Sequence, residues 1–259
     1  MDFTREKYRL LLTQLKDSGY IFITFAEYCK GNMPQRFVIL RHDVDQKPQN
    51  SLEMAQDERN FGAKATYYFR AVPESWNDKI IKDIRQMKHE VGYHYESLTT
   101  CNGNVQKAYE DLSRNLERLR KLVPVSTICM HGSPRSPYDS KDIWKSYDYK
   151  NLGIIGEPYF DTDFSKIFYL TDTGRRWDGF KVSVRDKIDG WQDQWTRQGL
   201  TFHKTDDIIN ALHEQRLPAR IMLTTHPQRW NDPGMEWCKE LILQNMKNMV
   251  KRILINCKK

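Results

Sequence analysis

The chain has 259 residues, of which 29% are charged and 12% aromatic, and its formal net charge is +7. This length accommodates one large α/β domain or two ordinary ones, and the composition is that of a globular protein without low-complexity tracts. No apolar run is long enough to span a membrane and no segment resembles a signal peptide, so we expect a cytoplasmic protein. The five cysteines are widely spaced and form no CxxC pair, which indicates neither a disulfide framework nor a zinc knuckle.

The positive charge alone would fit an anionic partner. Lysine and arginine are, however, spread along the chain, and only the C-terminal tail is locally basic. The basic residues of this tail are Lys247, Lys251, Arg252, Lys258 and Lys259. No nucleic-acid-binding motif accompanies them, so we expect no nucleic-acid partner.

Strands and helices alternate along the chain after a helical start. Residues 1–36 are predicted to form a helical extension outside the main fold, with helix over residues 4–30 and a short apolar run at residues 20–25. A buried strand follows at residues 37–40, and Pro48 and Gly62 are placed to begin and end the next helix. The other predicted strands are residues 65–69, 90–94, 125–130, 153–156, 168–171, 181–184 and 221–225. The other predicted helices are residues 77–89, 103–122, 142–147, 205–215 with Thr205 as N-cap, and a long closing helix within 235–257.

This alternation, without a linker-like stretch, predicts a single α/β domain over residues 1–259. The number of units is close to the eight of a regular (β/α) barrel. The middle of the chain is irregular, which favours a distorted barrel.

The strand at residues 37–40 is the centre of the functional prediction. Its four apolar residues are typical of a strand buried on both faces, and the run ends abruptly in Arg41, His42, Asp43 and Asp45. Asp43 and Asp45 lie two residues apart and would face the same way at strand spacing, whereas His42 would face away. Charged residues at the end of a buried strand indicate a site at the carboxyl end of a parallel sheet or barrel. The alternative is a solvated, charged loop.

Three further predicted strands also end in polar residues: His94 with Glu96, then His131, then His226. A single histidine after a strand is usually a hydrogen-bonded structural residue. Several at the ends of separate strands would meet at one mouth of a barrel. Imidazole and carboxylate together suit a divalent ion such as zinc, or alternatively cobalt, nickel or iron. No HExxH or HxxxH pair is present, so spacing alone is a weak indication.

Four segments stand out by their order and spacing: LRHDVD at residues 40–45, GAKATYYFR at 62–70, EVGYH at 90–94 and LTTHP at 223–227. In these segments, between residues 37 and 230, the chain resembles the polysaccharide deacetylase (NodB-homology) superfamily. The resemblance implies a distorted (β/α) barrel, usually of seven strands. It also implies metal-dependent removal of an acyl group, generally N-acetyl, from an amino sugar.

The resemblance assigns roles by position. Asp43 falls on the family's catalytic base, and His226 falls on the histidine that protonates the leaving amine. His94 falls on the first metal-binding histidine. The acid that binds metal in most members is replaced by Val44, but relatives resembling allantoinases use an Asp-x-Asp arrangement, which would make Asp45 the ligand.

The second metal-binding histidine of the family falls on Leu98, which cannot ligate. We therefore expect another residue to complete the site, or binding to be weak or absent. His131 is our first choice as that ligand, and Glu96 is the second, with a substrate-binding role otherwise. His42 is the third, although strand alternation favours a supporting or core role for it. The family's third motif, normally centred on an arginine, is replaced here by MHGSP at residues 130–134.

Several other residues are candidate substrate-binding groups. Trp177 would stack on a sugar ring, with Asp172 or Arg175 on its hydroxyl groups, unless this segment is only a tight glycine turn with an ion pair. Glu157 would face the mouth of the barrel after a short strand. Arg229 would bind a phosphate or carboxylate of the substrate, or cap the barrel.

The sequence thus predicts a metal-dependent deacetylase acting on an N-acetylated sugar, with a carbohydrate as its partner and no membrane span. Two alternatives stay open. The first is a non-catalytic carbohydrate-binding protein of the same fold that has lost its metal. The second is a hydrolase of another C–N bond, such as a formamide or a cyclic ureide. Neither the sugar nor the oligomeric state follows from the sequence.

Overall fold

The computed structural model describes residues 1–133, 136–177, 188 and 190–256, with side chains through residue 249. The strands in this part of the chain are β1 (Ile21–Ile23), β2 (Phe37–Val44), β3 (Thr66–Phe69), β4 (Glu90–Tyr95), β5 (Ile128–Met130), β6 (Phe168–Thr171) and β7 (Arg220–Thr225). The α-helices are α1 (Arg5–Asp17), α2 (Phe25–Cys29), α3 (Pro48–Phe61), α4 (Asp78–Gln86), α5 (Ser97–Thr100), α6 (Val105–Arg120), α7 (Pro158–Asp161), α8 (Gln192–Arg197), α9 (Thr205–His213) and α10 (Met235–Asn256). Short 3₁₀ helices cover Ser140–Lys145, Tyr149–Leu152 and Pro227–Arg229.

All seven strands belong to one sheet, in the order β5-β4-β3-β2-β7-β6, and β1 pairs with the first half of β2. Each pair is parallel. The carboxyl ends of the strands therefore lie along the same edge, and the crossovers between β2, β3, β4 and β5 carry helices. The fold is a distorted (β/α) barrel, which confirms the prediction.

The strand β2 lies between β3 and β7 and is buried along all of its eight residues. A parallel strand covered on both faces needs apolar side chains on both, which explains the uninterrupted run before Arg41. From Arg41 to Asp43 the strand stays buried although its side chains are ionisable. Each of these groups must then find a partner inside the protein, because an unpaired buried charge is costly.

Local signals fix the ends of several elements. The helix α3 has a proline at its start and ends at Gly62, which adopts a left-handed conformation with φ of 74°. Most residues avoid that conformation, so the glycine favours termination at this point. Both ends of α3 agree with the prediction, and β6 agrees as well.

Other predicted elements differ from the structure. The predicted helix over residues 4–30 is interrupted by β1, and residues 1–36 therefore contribute a strand to the sheet instead of forming a helical extension outside it. Residues 153–156 form a single bridge between Gly156 and Thr127 rather than a strand, after Gly153 turns the chain with φ of 67°. Thr205 is the first residue of α9, and Lys204 precedes it as the N-cap. The predicted strand at residues 181–184 lies outside the described residues.

In the described part of the chain, every helix is either too short or too polar to cross a lipid bilayer.

Candidate metal and proton-transfer site

The end of β2 places a buried ion pair inside the barrel. Arg41 and Asp43 point to the same side of the strand, and they are only 1% and 2% exposed. Nε of Arg41 donates to Oδ1 of Asp43 at 2.9 Å, and Nη2 donates to Oδ2 at 2.6 Å. Burial opposes ionisation of Asp43, but the opposing contributions, of which the charge of Arg41 is the largest, lower the pKa of the carboxyl group. Asp43 is therefore held as a carboxylate in one orientation.

Three imidazoles from three different strand ends face the carboxylate of Asp45. Nε2 of His94 and Nε2 of His131 each lie 3.5 Å from Oδ1 of Asp45. Nε2 of His226 lies 3.9 Å from Oδ2 of the same group. His94 also places Nε2 3.8 Å from Oδ2 of Asp43. The two acids and three histidines predicted from the sequence therefore meet at one edge of the sheet.

The second nitrogen of each of these rings lies within 3 Å of an acceptor of the protein, and Nδ1 of His226 also lies 2.6 Å from Nη1 of Arg229. Nδ1 of His94 lies 2.9 Å from the carbonyl oxygen of Cys129, and Nδ1 of His131 lies 2.9 Å from Oε2 of Glu96. Because a carbonyl oxygen can only accept, Nδ1 of His94 carries a hydrogen, and Nε2 of the neutral ring keeps its lone pair. Histidines that bind metal are commonly oriented in this way by a carbonyl or carboxylate.

One observation indicates that the residues fit a divalent ion. Oδ1 of Asp45 is buried without a hydrogen-bond partner, and its two imidazole neighbours at 3.5 Å are too distant for good hydrogen bonds. Ligand atoms of Asp45, His94 and His131 lie within 4.8 Å of one another. A carboxylate and two imidazoles form a donor set that suits zinc and leaves a position open.

The geometry also separates the candidates for the missing ligand. His131 directs Nε2 toward Asp45, whereas Glu96 lies behind it and binds both His131 and Arg70. Leu98 is buried at 4% exposure. His42 faces the other side of β2, as strand alternation predicts, and both of its ring nitrogens are engaged by Thr225 and Glu58. The arrangement favours His131 among the three residues considered.

Asp172 was predicted to bind hydroxyl groups of a sugar. The structure corrects this, because Asp172 is fully buried behind His226 and cannot contact a substrate in this conformation. Its carboxylate lies 2.6 Å from Nδ1 of His226 and accepts from the backbone N–H of His226 at 2.9 Å. Arg229 and Trp230 donate to the same carboxylate. Burial opposes ionisation of Asp172, but Arg229 and His226 bring its pKa to about 2. The ionised carboxylate orients the His226 ring.

Burial and the charge of Arg229 lower the pKa of His226, but the carboxylates of Asp172 and Asp45 outweigh them, so its net pKa is raised. Arg229 is thus a partner of Asp172 in the structure. Binding of an anionic part of the substrate by Arg229 stays a prediction.

Two other predicted substrate-binding residues are corrected because their side chains are buried in structural roles. Glu157 is 0% exposed and accepts from the backbone N–H groups of Met130 and Tyr159, and burial raises its pKa to about 7. Trp177 is 1% exposed and donates from Nε1 to Thr205. Neither side chain is accessible to a sugar in this conformation.

Arg175 contacts the N-terminal residues and the helix α10. Its guanidinium stands 5.1 Å from the ring centroid of Phe3 and 4.8 Å from that of Trp237. It also donates to the backbone oxygen of Asp2. These contacts stabilise the packing of α10 rather than form a sugar site.

Two functional partners were missed by the sequence prediction. The first is Arg41, which holds Asp43, and strand alternation could have indicated it because residues 41 and 43 share a face. The second is Arg70 at the end of β3, which donates to both oxygens of Glu96 and to the backbone oxygen of Asp45. Arg70 therefore connects the position of Asp45 with that of His131 through Glu96.

The cluster is accessible on one side only. Asp45, His131, Glu96 and Arg70 have side chains that are 15–20% exposed. Asp43 and His94 are 2% exposed, and His226 is 6% exposed. A ligand would therefore approach from the side of Asp45 and His131, with Asp43 and His226 at greater depth.

Comparisons with known proteins find similar solved structures at low sequence identity. The chain is similar to a Streptococcus mutans CE4 esterase, with 15% identity and a TM-score of 0.46 over 92% of this chain and 89% of that one. It is similar to Bacillus subtilis PdaA, a family 4 carbohydrate esterase, with 14% identity and a TM-score of 0.38 over 91% and 82% of the two chains. A mutant of BA3943, a CE4 family pseudoenzyme, gives 13% identity and a TM-score of 0.41 over 85% and 68%. No protein-family model and no curated protein matches the chain.

Proposed function

We propose that the protein is a metal-dependent hydrolase that removes an N-acyl group, N-acetyl in the first instance, from an amino sugar or glycan. The observation that carries this proposal is the convergence of three imidazole Nε2 atoms on the carboxylate of Asp45, next to the carboxylate of Asp43. The sugar part of the proposal rests on the sequence resemblance. Carbohydrate is the substrate class and partner that this resemblance implies.

Asp45, His94 and His131 would hold the divalent ion. When bound, the ion polarises an acyl carbonyl and lowers the pKa of a water molecule. Zinc fits the two imidazoles and one carboxylate best, and cobalt, nickel and iron accept the same donors. Glu96 and the carbonyl of Cys129 keep the two rings in place through Nδ1.

Asp43 acts as the base in this proposal. Arg41 holds both of its oxygens, so the carboxylate is ionised and positioned before the substrate arrives. Asp43 removes a proton from the attacking water while the water oxygen forms a bond with the acyl carbon.

His226 supplies a proton from Nε2 to the amine nitrogen as the C–N bond breaks, and Asp172 stabilises the ring through Nδ1. The products are a carboxylic acid, acetic acid for an N-acetyl substrate, and the free amine.

The test is release of acetate from a panel of N-acetylated amino sugars, free, nucleotide-linked and polymeric, by protein loaded with zinc or cobalt. We expect turnover on at least one of them and a loss of about 10²- to 10⁴-fold in kcat for Asp43→Asn. His213→Asn on the exposed side of α9 serves as the control. Undiminished turnover by Asp43→Asn in a correctly folded variant would remove Asp43 as the base. A formamide and a cyclic ureide in the panel test the alternative C–N bonds.

A specific observation also favours a second candidate, a non-catalytic carbohydrate-binding protein. Leu98 occupies the position of the second metal-binding histidine of the family, and Val44 occupies that of its metal-binding acid. Metal analysis separates the two. Protein that binds a sugar and stays metal-free after incubation with zinc, cobalt or nickel would support the second candidate.

A further inference from the structure

The turn that follows β7 carries a buried glutamine beside the candidate metal site. Gln228 lies in the 3₁₀ helix Pro227–Arg229, directly after Pro227, and is 4% exposed. Its Nε2 donates to Oδ2 of Asp45 at 3.2 Å. A carboxylate oxygen can only accept a hydrogen bond, so the amide nitrogen is the end of the side chain that faces Asp45, and Oε1 is the other end.

The other end of this amide has no partner in the described part of the chain. Oε1 of Gln228 is buried there without a hydrogen bond. A buried acceptor without a donor is unfavourable, and a glutamine that served only the fold would normally have both ends of its amide paired. The bond to Asp45 is therefore the contact that accounts for a glutamine at this position.

Two asparagines fix the backbone of Gln228. Nδ2 of Asn231 donates to the backbone oxygen of Gln228 at 2.9 Å. Nδ2 of Asn50 on α3 donates to Oδ1 of Asn231 at 3.0 Å and to the backbone oxygen of Pro227 at 3.2 Å. These bonds hold the turn against α3, so the amide of Gln228 reaches Asp45 from a fixed position.

The two oxygens of Asp45 face different neighbours. Oδ1 lies 3.5 Å from Nε2 of both His94 and His131. Oδ2 accepts from Gln228 and lies 3.9 Å from Nε2 of His226. The hydrogen bond from Gln228 therefore engages Oδ2 and leaves Oδ1 as the oxygen that faces the two imidazoles of the candidate metal site.

The number of oxygens that Asp45 gives to an ion decides whether a position on the ion stays open. A carboxylate can bind a metal ion through one oxygen or through both. With one oxygen of Asp45 and the imidazoles of His94 and His131, a zinc ion has three protein ligands and keeps its fourth position for water or substrate. The second oxygen of the same carboxylate would fill that position.

We propose that Gln228 is a positioning residue that restricts Asp45 to binding the ion through Oδ1 and so keeps the fourth position open. Gln228 acts through Asp45 and not by contact with the reacting atoms. The inference rests on the proposed function, because it concerns the metal site of that hydrolase.

The test compares the unmodified protein with Gln228→Met, which keeps a side chain of similar length but removes the donor to Asp45. Zinc binding measured by calorimetry should weaken about tenfold or more, because the carboxylate is no longer oriented before the ion arrives. The visible absorption of the cobalt-loaded variant should also be weaker, because a five-coordinate cobalt ion absorbs less than a tetrahedral one. Circular dichroism verifies that the fold is kept.

The matched control is Gln244→Met on α10, a glutamine that is 3% exposed and donates to Asn248. It should bind zinc and absorb with cobalt like the unmodified protein. The inference is overturned if Gln228→Met has the cobalt spectrum of the unmodified protein, or if its zinc affinity equals that of the control. Those results would leave the proposed function standing. An unmodified protein that binds neither metal would overturn the proposed function, and this inference with it.

Discussion

The two faces of β2 carry two histidine–carboxylate clusters of similar composition. They differ in whether their hydrogen-bonding atoms have partners inside the protein. On the outer face, His42 binds Thr225 with Nδ1 and Glu58 with Nε2, and Glu58 also accepts from Tyr8 and Tyr67. On the inner face, the imidazoles surround an oxygen of Asp45 that has no hydrogen-bond partner. A buried polar cluster with every group satisfied stabilises the fold, whereas one that converges on an unsatisfied atom is prepared for a ligand.

The largest effect should come from breaking the outer cluster. Glu58→Gln removes a buried charge and one acceptor, which leaves His42 and two tyrosine hydroxyls incompletely paired. We expect the free energy of unfolding to fall by about 3–5 kcal/mol in urea denaturation. Glu53→Gln on the same helix is the matched control, because Glu53 forms a partly exposed ion pair with Arg5 and should cost about 1 kcal/mol or less. Equal effects of the two changes would mean that the Glu58 cluster has no structural role.

Breaking the inner cluster should have a small effect on stability and a large effect on metal affinity. His131→Ala removes a proposed ligand but leaves Glu96 paired with Arg70, so the metal-free protein should lose only about 1 kcal/mol of stability or less. Zinc affinity measured by calorimetry should fall about a hundredfold or more. The control is His213→Ala, a histidine on the exposed part of α9. Unchanged zinc affinity in His131→Ala would assign the third ligand to another residue.

A smaller effect should appear in the pH dependence of stability, where the outer cluster titrates. Burial raises the pKa of Glu58, but His42 outweighs it, so the pKa in the folded protein is below the ordinary value of 4.5. A carboxyl group with a lowered pKa stabilises the fold above its unfolded pKa, and this contribution is lost as the pH falls through the folded value. Urea denaturation of the metal-free protein between about pH 6 and about pH 3 should therefore show a steeper loss below pH 4.5 than for Glu58→Gln. Parallel curves for the two proteins would contradict a lowered pKa of Glu58 in the folded protein.

The convergence of Asp43, Asp45, His94, His131 and His226 was predictable because each lies in the last residues of a strand or directly after it, and parallel strands place such residues at one edge. The ends of α3 were predictable because proline and glycine act locally. The opposite faces of Asp43 and His42 followed from strand alternation. These predictions need only short-range rules and one topological rule.

Other features depend on contacts that no local rule provides. Asp172 was predicted to touch the substrate, but the β6–β7 register places it beside His226, where it has a buried role. Trp177 resembled a sugar platform because an aromatic residue in a polar turn is usually exposed, yet Phe3 and Trp230 pack against its ring.

The most direct test is a crystal of the protein grown with zinc and measured at the zinc absorption edge. The account predicts one strong anomalous peak within about 2.3 Å of a carboxylate oxygen of Asp45 and of Nε2 in both His94 and His131. The account would be contradicted if no peak appeared in crystals grown with excess zinc. A peak that these three side chains do not surround would contradict it as well.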